Sequence, residues 1–177
     1  DNIENIPDNV IRDDIYQLHS DDDRIPDLSA LRGCKSLHTL NLDYCGSLLT
    51  ISGLPRSLRE LRITGCKIYD IFALSGCNSL HKLDLAFCHC LRNISGLPGS
   101  LDTLHLHGFT ELSDLSALTN KCGSLRRLML CNCTELIDIS ALDKCTSLKT
   151  LTIQGCARIS RTNPSLVERD GLDTLIC

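Results

Sequence analysis

Apolar residues recur along this chain in the pattern L-x-x-L-x-L-x-x-C, six times in succession. Its first position falls at Leu37, Leu58, Leu80, Leu101, Leu125 and Leu148, giving spacings of 21, 22, 21, 24 and 23 residues. The second and third apolar positions are Leu40 and Leu42, Leu61 and Ile63, Leu83 and Leu85, Leu104 and Leu106, Leu128 and Leu130, and Leu151 and Ile153. Alternation across these positions predicts a short strand in each unit, with one face turned inward. A unit this short cannot bury its own apolar face, so the units must stack.

A second apolar tier follows each strand at intervals of three, as in Leu48, Ile51, Leu54 and Ile68, Ile71, Leu74. The series continues through Leu91, Ile94, Leu97, then Leu112, Leu115, Leu118, then Leu136, Ile139, Leu142. A spacing of three is too long for a strand and slightly short for an α-helix, which predicts 3₁₀ or extended-turn arcs. A larger unit of 43 residues is also visible: Cys34 to Cys66 laid on Cys77 to Phe109 gives 17 identities in 33 positions. The same step carries Leu58 back to Ile15, so residues 15 to 31 read as a worn terminal repeat. In that alignment Ser20 takes the third apolar position and Asp23 the cysteine position, as expected where a stack ends in water. Asp21, Asp22 and Asp23 would deter edge-to-edge pairing. After Ile159 the pattern fails, and Asn163-Pro164-Ser165 either caps a final helix or leads to a last strand at Leu172 and Leu175.

These repeats resemble the leucine-rich-repeat superfamily, in its cysteine-containing and short 22-residue subclasses, over about residues 15 to 160. The units Ile51 to Leu58 and Ile94 to Leu101 are also similar to the compact repeats of bacterial effector proteins. The resemblance implies an α/β solenoid, a right-handed horseshoe with a concave parallel β-sheet and short 3₁₀ or irregular convex arcs. It divides the chain into an acidic segment or cap at 1–14, a repeat domain at 15–160 and a cap or partial repeat at 161–177.

Twelve cysteines suggest a disulfide framework until they are placed in the repeat. Cys45, Cys66, Cys88, Cys133 and Cys156 take the ninth position, with Phe109 the one departure. In the superfamily this inward residue bonds neighbouring backbone at the bend after each strand. Cys34, Cys77, Cys122 and Cys145 form a second column three residues before the first Leu, where a small soft side chain packs between coils. Nine of the twelve are thus expected as core residues, and all twelve as reduced thiols, which points to the cytoplasm or nucleus.

Composition narrows the function classes. Aromatic residues make up 3% of the chain and Trp is absent, so the core is one of Leu, Ile and Cys. No run is long and apolar enough for a membrane span, and the start Asp1-Asn2-Ile3-Glu4 lacks the regions of a signal peptide. Net charge is −4, yet residues 1 to 27 alone carry nine acids against Arg12 and Arg24, a balance of −7 that leaves +3 for the rest. A solvated acidic cap accounts for this asymmetry; a basic partner at that end is the alternative.

An open concave sheet offers no water-excluding pocket for catalysis, and no Gly-rich phosphate loop is present, so neither an enzyme nor a cofactor is implied. The pairs Cys88-His89-Cys90 and Cys131-Asn132-Cys133 should point their members to opposite sides. His105, His107, Asp84, Met129 and Cys131 fall on one face of three adjacent strands about 4.8 Å apart, within reach of zinc. Nothing fixes a fourth ligand or a second shell, so the group reads as solvated residues of a binding surface in preference to a metal site. Arg126, Arg127, Lys149, Lys121 and Lys144 gather towards one end, but without interleaved aromatics and diluted by Asp102 and Glu135, which argues against nucleic acid.

The remaining reading is a protein partner held on the concave face. Six strands side by side make a ladder about 30 Å wide, which is interface scale. Its outward columns are His38, Arg59, His81, Asp102, Arg126, Lys149; then Thr39, Glu60, Lys82, Thr103, Arg127, Thr150; then Asn41, Arg62, Asp84, His105, Met129, Thr152. A rim column follows as Tyr44, Gly65, Phe87, Gly108, Asn132, Gly155, where Tyr44 and Phe87 are either anchors for a partner or local covers of the core edge. The residues expected to meet a partner are His38, Tyr44, Arg59, Arg62, His81, Lys82, Asp84, Phe87, His105, His107, Arg126, Arg127, Met129 and Lys149. The function expected is a non-catalytic interaction scaffold or recognition module. The alternatives are a structural subunit of a cytoskeletal or ribonucleoprotein complex, or the substrate-recognition part of a ubiquitin ligase, the latter by superfamily analogy.

Overall fold

Parallel pairing of equivalent residues sets the architecture. In the computed structural model, which describes residues 15–19, 27–159 and 171–176, eight strands form one sheet in simple sequence order. They are β1 (Ile15–His19), β2 (Thr39–Asp43), β3 (Glu60–Thr64), β4 (Lys82–Ala86), β5 (Thr103–His107), β6 (Arg127–Cys131), β7 (Thr150–Gln154) and β8 (Asp173–Ile176). Register follows the repeat: Leu40 lies opposite Leu61, which lies opposite Leu83, then Leu104, Leu128 and Leu151. The three apolar positions of all six repeats are buried, none more than 4% exposed. Each such side chain contributes roughly 1.5–3 kcal/mol by leaving water, and the contribution accrues only when the next coil closes over it.

The arcs opposite the sheet are of two kinds. Four arcs wholly among the described residues contain 3₁₀ segments: η1 (Ser29–Gly33), η2 (Phe72–Gly76), η3 (Ser116–Leu118) and η4 (Ser140–Lys144). In three of them the second-column cysteine closes the arc, with Cys34 N–H donating to the Leu31 carbonyl, Cys77 to Leu74 and Cys145 to Leu142, at 2.9–3.0 Å. Pro55 and Pro98 take the same column in the intervening coils and have no N–H to give, so those arcs are plain turns. This alternation of Cys and Pro is one source of the 43-residue unit. Most arcs open on an Asx turn in which a side-chain oxygen accepts from the backbone N–H two residues on: Asp27 to Ser29, Asp70 to Phe72, Asn93 to Ser95, Asp114 to Ser116 and Asp138 to Ser140, at 2.8–3.0 Å.

The ninth-position thiols occupy the bend as expected. Cys66 donates to the Thr64 and Leu42 carbonyls, Cys88 to Ala86 and Ile63, Cys133 to Cys131 and Leu106, and Cys156 to Gln154 and Leu130, at 3.5–3.9 Å. One acceptor lies in the thiol's own coil and the other in the coil before, so each sulfur bridges the stack. Burial pushes the Cys88 thiol up to about 12, and burial likewise raises Cys77, which keeps both as neutral donors. Phe109 fills the same column in its coil, 1% exposed.

Three expectations are corrected. First, β1 does not pair in the register that the 43-residue step suggests. Tyr16 lies opposite Leu40 and Leu18 opposite Leu42, two residues displaced from the sequence alignment. An even displacement preserves which face each residue shares, and it sets Leu18 instead of Ser20 in line with the third apolar column. Ser20 to Asp23 lie outside the described residues. Second, not all cysteines are thiols: Cys122 and Cys145 form a disulfide, with Cα atoms 5.0 Å apart. Elsewhere in the second column a proline separates successive cysteines, whereas the coils of Cys122 and Cys145 are adjacent and both arcs are of the 3₁₀ kind. Third, Thr103 is not on the exposed surface but 8% exposed, its hydroxyl donating to Asp102 at 3.0 Å. After Ile159 a last strand is present: β8 begins at Asp173, one residue past Leu172, and pairs with β7, Leu175 opposite Thr152, while the helix alternative at Asn163 to Ser165 lies outside the described residues. Among the described residues no helix is long and apolar enough to cross a membrane.

Candidate functional site

The outward columns of β2 to β7 present a continuous face of polar and charged side chains. Arg59, Arg62, His81, Lys82, Arg126, Arg127 and Lys149 are exposed on it, and His38, Asp84, His105, His107 and Met129 are half-buried. Register brings Asp84, His105 and Met129 into one row and Ala86, His107 and Cys131 into the next. Burial holds the His105 imidazole below its ordinary range, against the upward pull of Asp84, so it is neutral at neutral pH. Among the described residues no three His, Cys, Asp or Glu side chains converge as a metal site. The C-x-C members do diverge, with Cys88 and Cys133 buried, Cys90 exposed and Cys131 half-buried.

Several basic residues of this face are tied to acids of the preceding coil. Lys82 meets Glu60 at 3.3 Å, Arg126 meets Asp102 at 3.6 Å and Arg62 meets Asp43 at 3.9 Å. These solvent-exposed pairs hold side chains in rows more than they stabilise the fold. A cleft of about 510 Å³ opens beside one of them, lined by His81, Asp102, Arg126 and the serines Ser100, Ser124 and Ser147.

The rim column shows an order that sequence reasoning left open. Tyr44, Phe87 and Asn132 all have left-handed backbone, with φ of 56°, 54° and 53°. Gly65, Gly108 and Gly155, which alternate with them, have φ of 65°, 73° and 65°. The left-handed turn aims each N–H at the last carbonyl of the next strand, as Phe87 N–H does to His107 at 2.8 Å. Each large side chain then lies against the glycine one coil further on. A Cβ on Gly65 would sit 2.6 Å from the Tyr44 ring, one on Gly108 2.6 Å from the Phe87 ring, and one on Gly155 2.2 Å from the Asn132 side-chain oxygen. Large and small must therefore alternate, a second source of the 43-residue unit. Phe87 also packs on His107 with ring centroids 4.5 Å apart, and Asn132 Nδ2 lies 3.1 Å from His107 Nε2. Tyr44 and Phe87 are thus local covers that still expose 56% and 40% of their surface. The sequence signal for this was the alternation of large residue and glycine, visible but unread.

Repeat, register and coil stacking together define a leucine-rich-repeat solenoid with a concave parallel sheet. No family model and no curated protein matches the chain. It is similar to the solved leucine-rich repeat domain of the type III effector XopL, at 16% identity and a TM-score of 0.44, covering 86% of this chain and 73% of that one. It is also similar to an internalin from Listeria monocytogenes, at 15% identity and a TM-score of 0.27, covering 84% of this chain and 69% of that one.

Proposed function

We propose that the chain is a non-catalytic protein-recognition module whose partner lies across the concave face. The observation that carries this reading is the separation of roles along each strand. Inward positions repeat Leu and Ile without variation, whereas outward positions change from coil to coil in charge and size on an unchanged frame. The exposed parts of Phe87 and Tyr44, beside rows of ion-paired cations, supply an apolar anchor with a polar surround, the composition of a recognition surface.

The test is a quadruple variant, Lys82→Glu, Phe87→Ala, Arg126→Glu and Arg127→Glu, compared with the wild type in affinity capture from extract of the source cells with quantitative mass spectrometry. The variant is expected to keep its far-ultraviolet circular dichroism spectrum and lose the principal co-purifying protein. A folded variant that captures it undiminished refutes the concave-face reading.

A further inference from the structure

A cleft outside the concave face lies on the edge of the solenoid where the strands begin. It has a volume of about 530 Å³, and among the described residues its charged lining is Arg32, Lys35 and Arg56. The rest of its lining is Cys34, the Gly53–Pro55 run and Ser57.

The internal duplication supplies a control within the same molecule. Forty-three residues on, Cys34, the Gly53–Pro55 run and Ser57 recur without change as Cys77, the Gly96–Pro98 run and Ser100. Arg32, Lys35 and Arg56 instead become Ser75, Asn78 and Gly99. The local frame is also shared. Ser57 Oγ donates to the Leu37 carbonyl at 2.8 Å and Ser100 Oγ to the Leu80 carbonyl at 2.6 Å. Gly53 and Gly96 approach the preceding arc equally closely, an added Cβ standing 2.6 Å from Ser29 Cα and 2.6 Å from Phe72 Cα respectively. Every uncharged lining residue is therefore kept between the two copies, and every difference is a cation.

We infer that this cleft binds a phosphate-type dianion, the phosphate group of a small phosphoester or of a phosphorylated side chain. Two guanidinium groups and an ammonium around one concavity match its charge and its acceptor oxygens. Among the described residues no aromatic side chain lines the cleft, so recognition is of the phosphate and not of a stacked base. Among the described residues the carboxylate that acts on Arg32 is Asp27, which accepts from the Ser29 N–H at 2.8 Å and from the Ser29 hydroxyl and also feels the Arg32 charge. This site lies apart from the concave face and does not rest on the reading given for it.

Titration calorimetry of the full chain with inorganic pyrophosphate, a phosphoserine peptide and its unphosphorylated twin tests the inference. The exchange variant Arg32→Ser, Lys35→Asn, Arg56→Gly adopts the residues of the second copy. It should weaken binding of the phosphorylated probes about thirtyfold, some threefold per exposed cation. The reverse exchange, Ser75→Arg, Asn78→Lys, Gly99→Arg, should raise the stoichiometry from one to two; a Cβ at Gly99 meets nothing within 4 Å. Preference for the phosphopeptide over pyrophosphate assigns the phosphate to a modified partner, and the opposite preference to a free phosphoester. Equal binding by wild type and the exchange variant, or no binding by the wild type, overturns the inference.

Discussion

Gly108→Ala isolates the contact that orders the rim. The new Cβ would stand 2.6 Å and 2.9 Å from Phe87 Cδ1 and Cε1, well inside the separation of about 3.5 Å at which carbon atoms begin to attract. The backbone there has φ of 73°, where an L side chain costs about 1–2 kcal/mol by itself. The ring must also leave its rotamer, at about 0.5–1.5 kcal/mol, or abandon its contact with His107. Together these give a loss of about 2–3 kcal/mol. In a Phe87→Ala background only the backbone cost of about 1–2 kcal/mol remains, so the two substitutions should couple by about 1 kcal/mol. Urea unfolding of the four proteins of the cycle, followed by circular dichroism, measures this directly. A coupling energy below about 0.3 kcal/mol would show that the ring does not lie over the glycine, and the account of the 43-residue unit would fail with it.

Cys88, which is fully buried, should tolerate Asn, whose amide can reach the Ala86 and Ile63 carbonyls, far better than Asp, whose charge has no cation beside it; the Asp variant should lose about 3 kcal/mol or more in urea. In denaturant without reductant, Cys122 and Cys145 should resist alkylation while the nine cysteines the structure leaves as thiols react, and Cys122→Ser with Cys145→Ser should cost about 3 kcal/mol for a loop of 23 residues. Reaction of all of them at once would refute the pairing. Ser29, Ser116 and Ser140 hold the Asp27, Asp114 and Asp138 carboxyls below their usual range through side-chain and backbone hydrogen bonds. Their contribution is therefore present above the unfolded carboxylate value of about 3.9 and is lost as pH falls from there through the lowered folded values. Replacing all three by Asn, which serves the same turn at Asn93, should flatten the fall in urea midpoint on the acid side; an unchanged slope would refute the link.

Periodicity alone determined the repeat, the inward columns and the ninth-position thiols. Residues at fixed offsets along one strand share a face whatever the neighbours do, so Leu40, Leu42 and Cys45 were legible as core in the sequence. Tertiary structure decided whatever depends on contact between coils. The register of β1 turned on whether Ser20 or Leu18 joined the third apolar column, a choice made by pairing with β2 and not by likeness to a repeat 43 residues away. The state of Cys122 and Cys145 turned on two coils of the same arc type falling side by side, which sets their Cα atoms 5.0 Å apart. The role of Phe87 turned on a glycine one coil further on, a neighbour in space 21 residues distant in sequence, because only stacking reveals which small residue a large one needs.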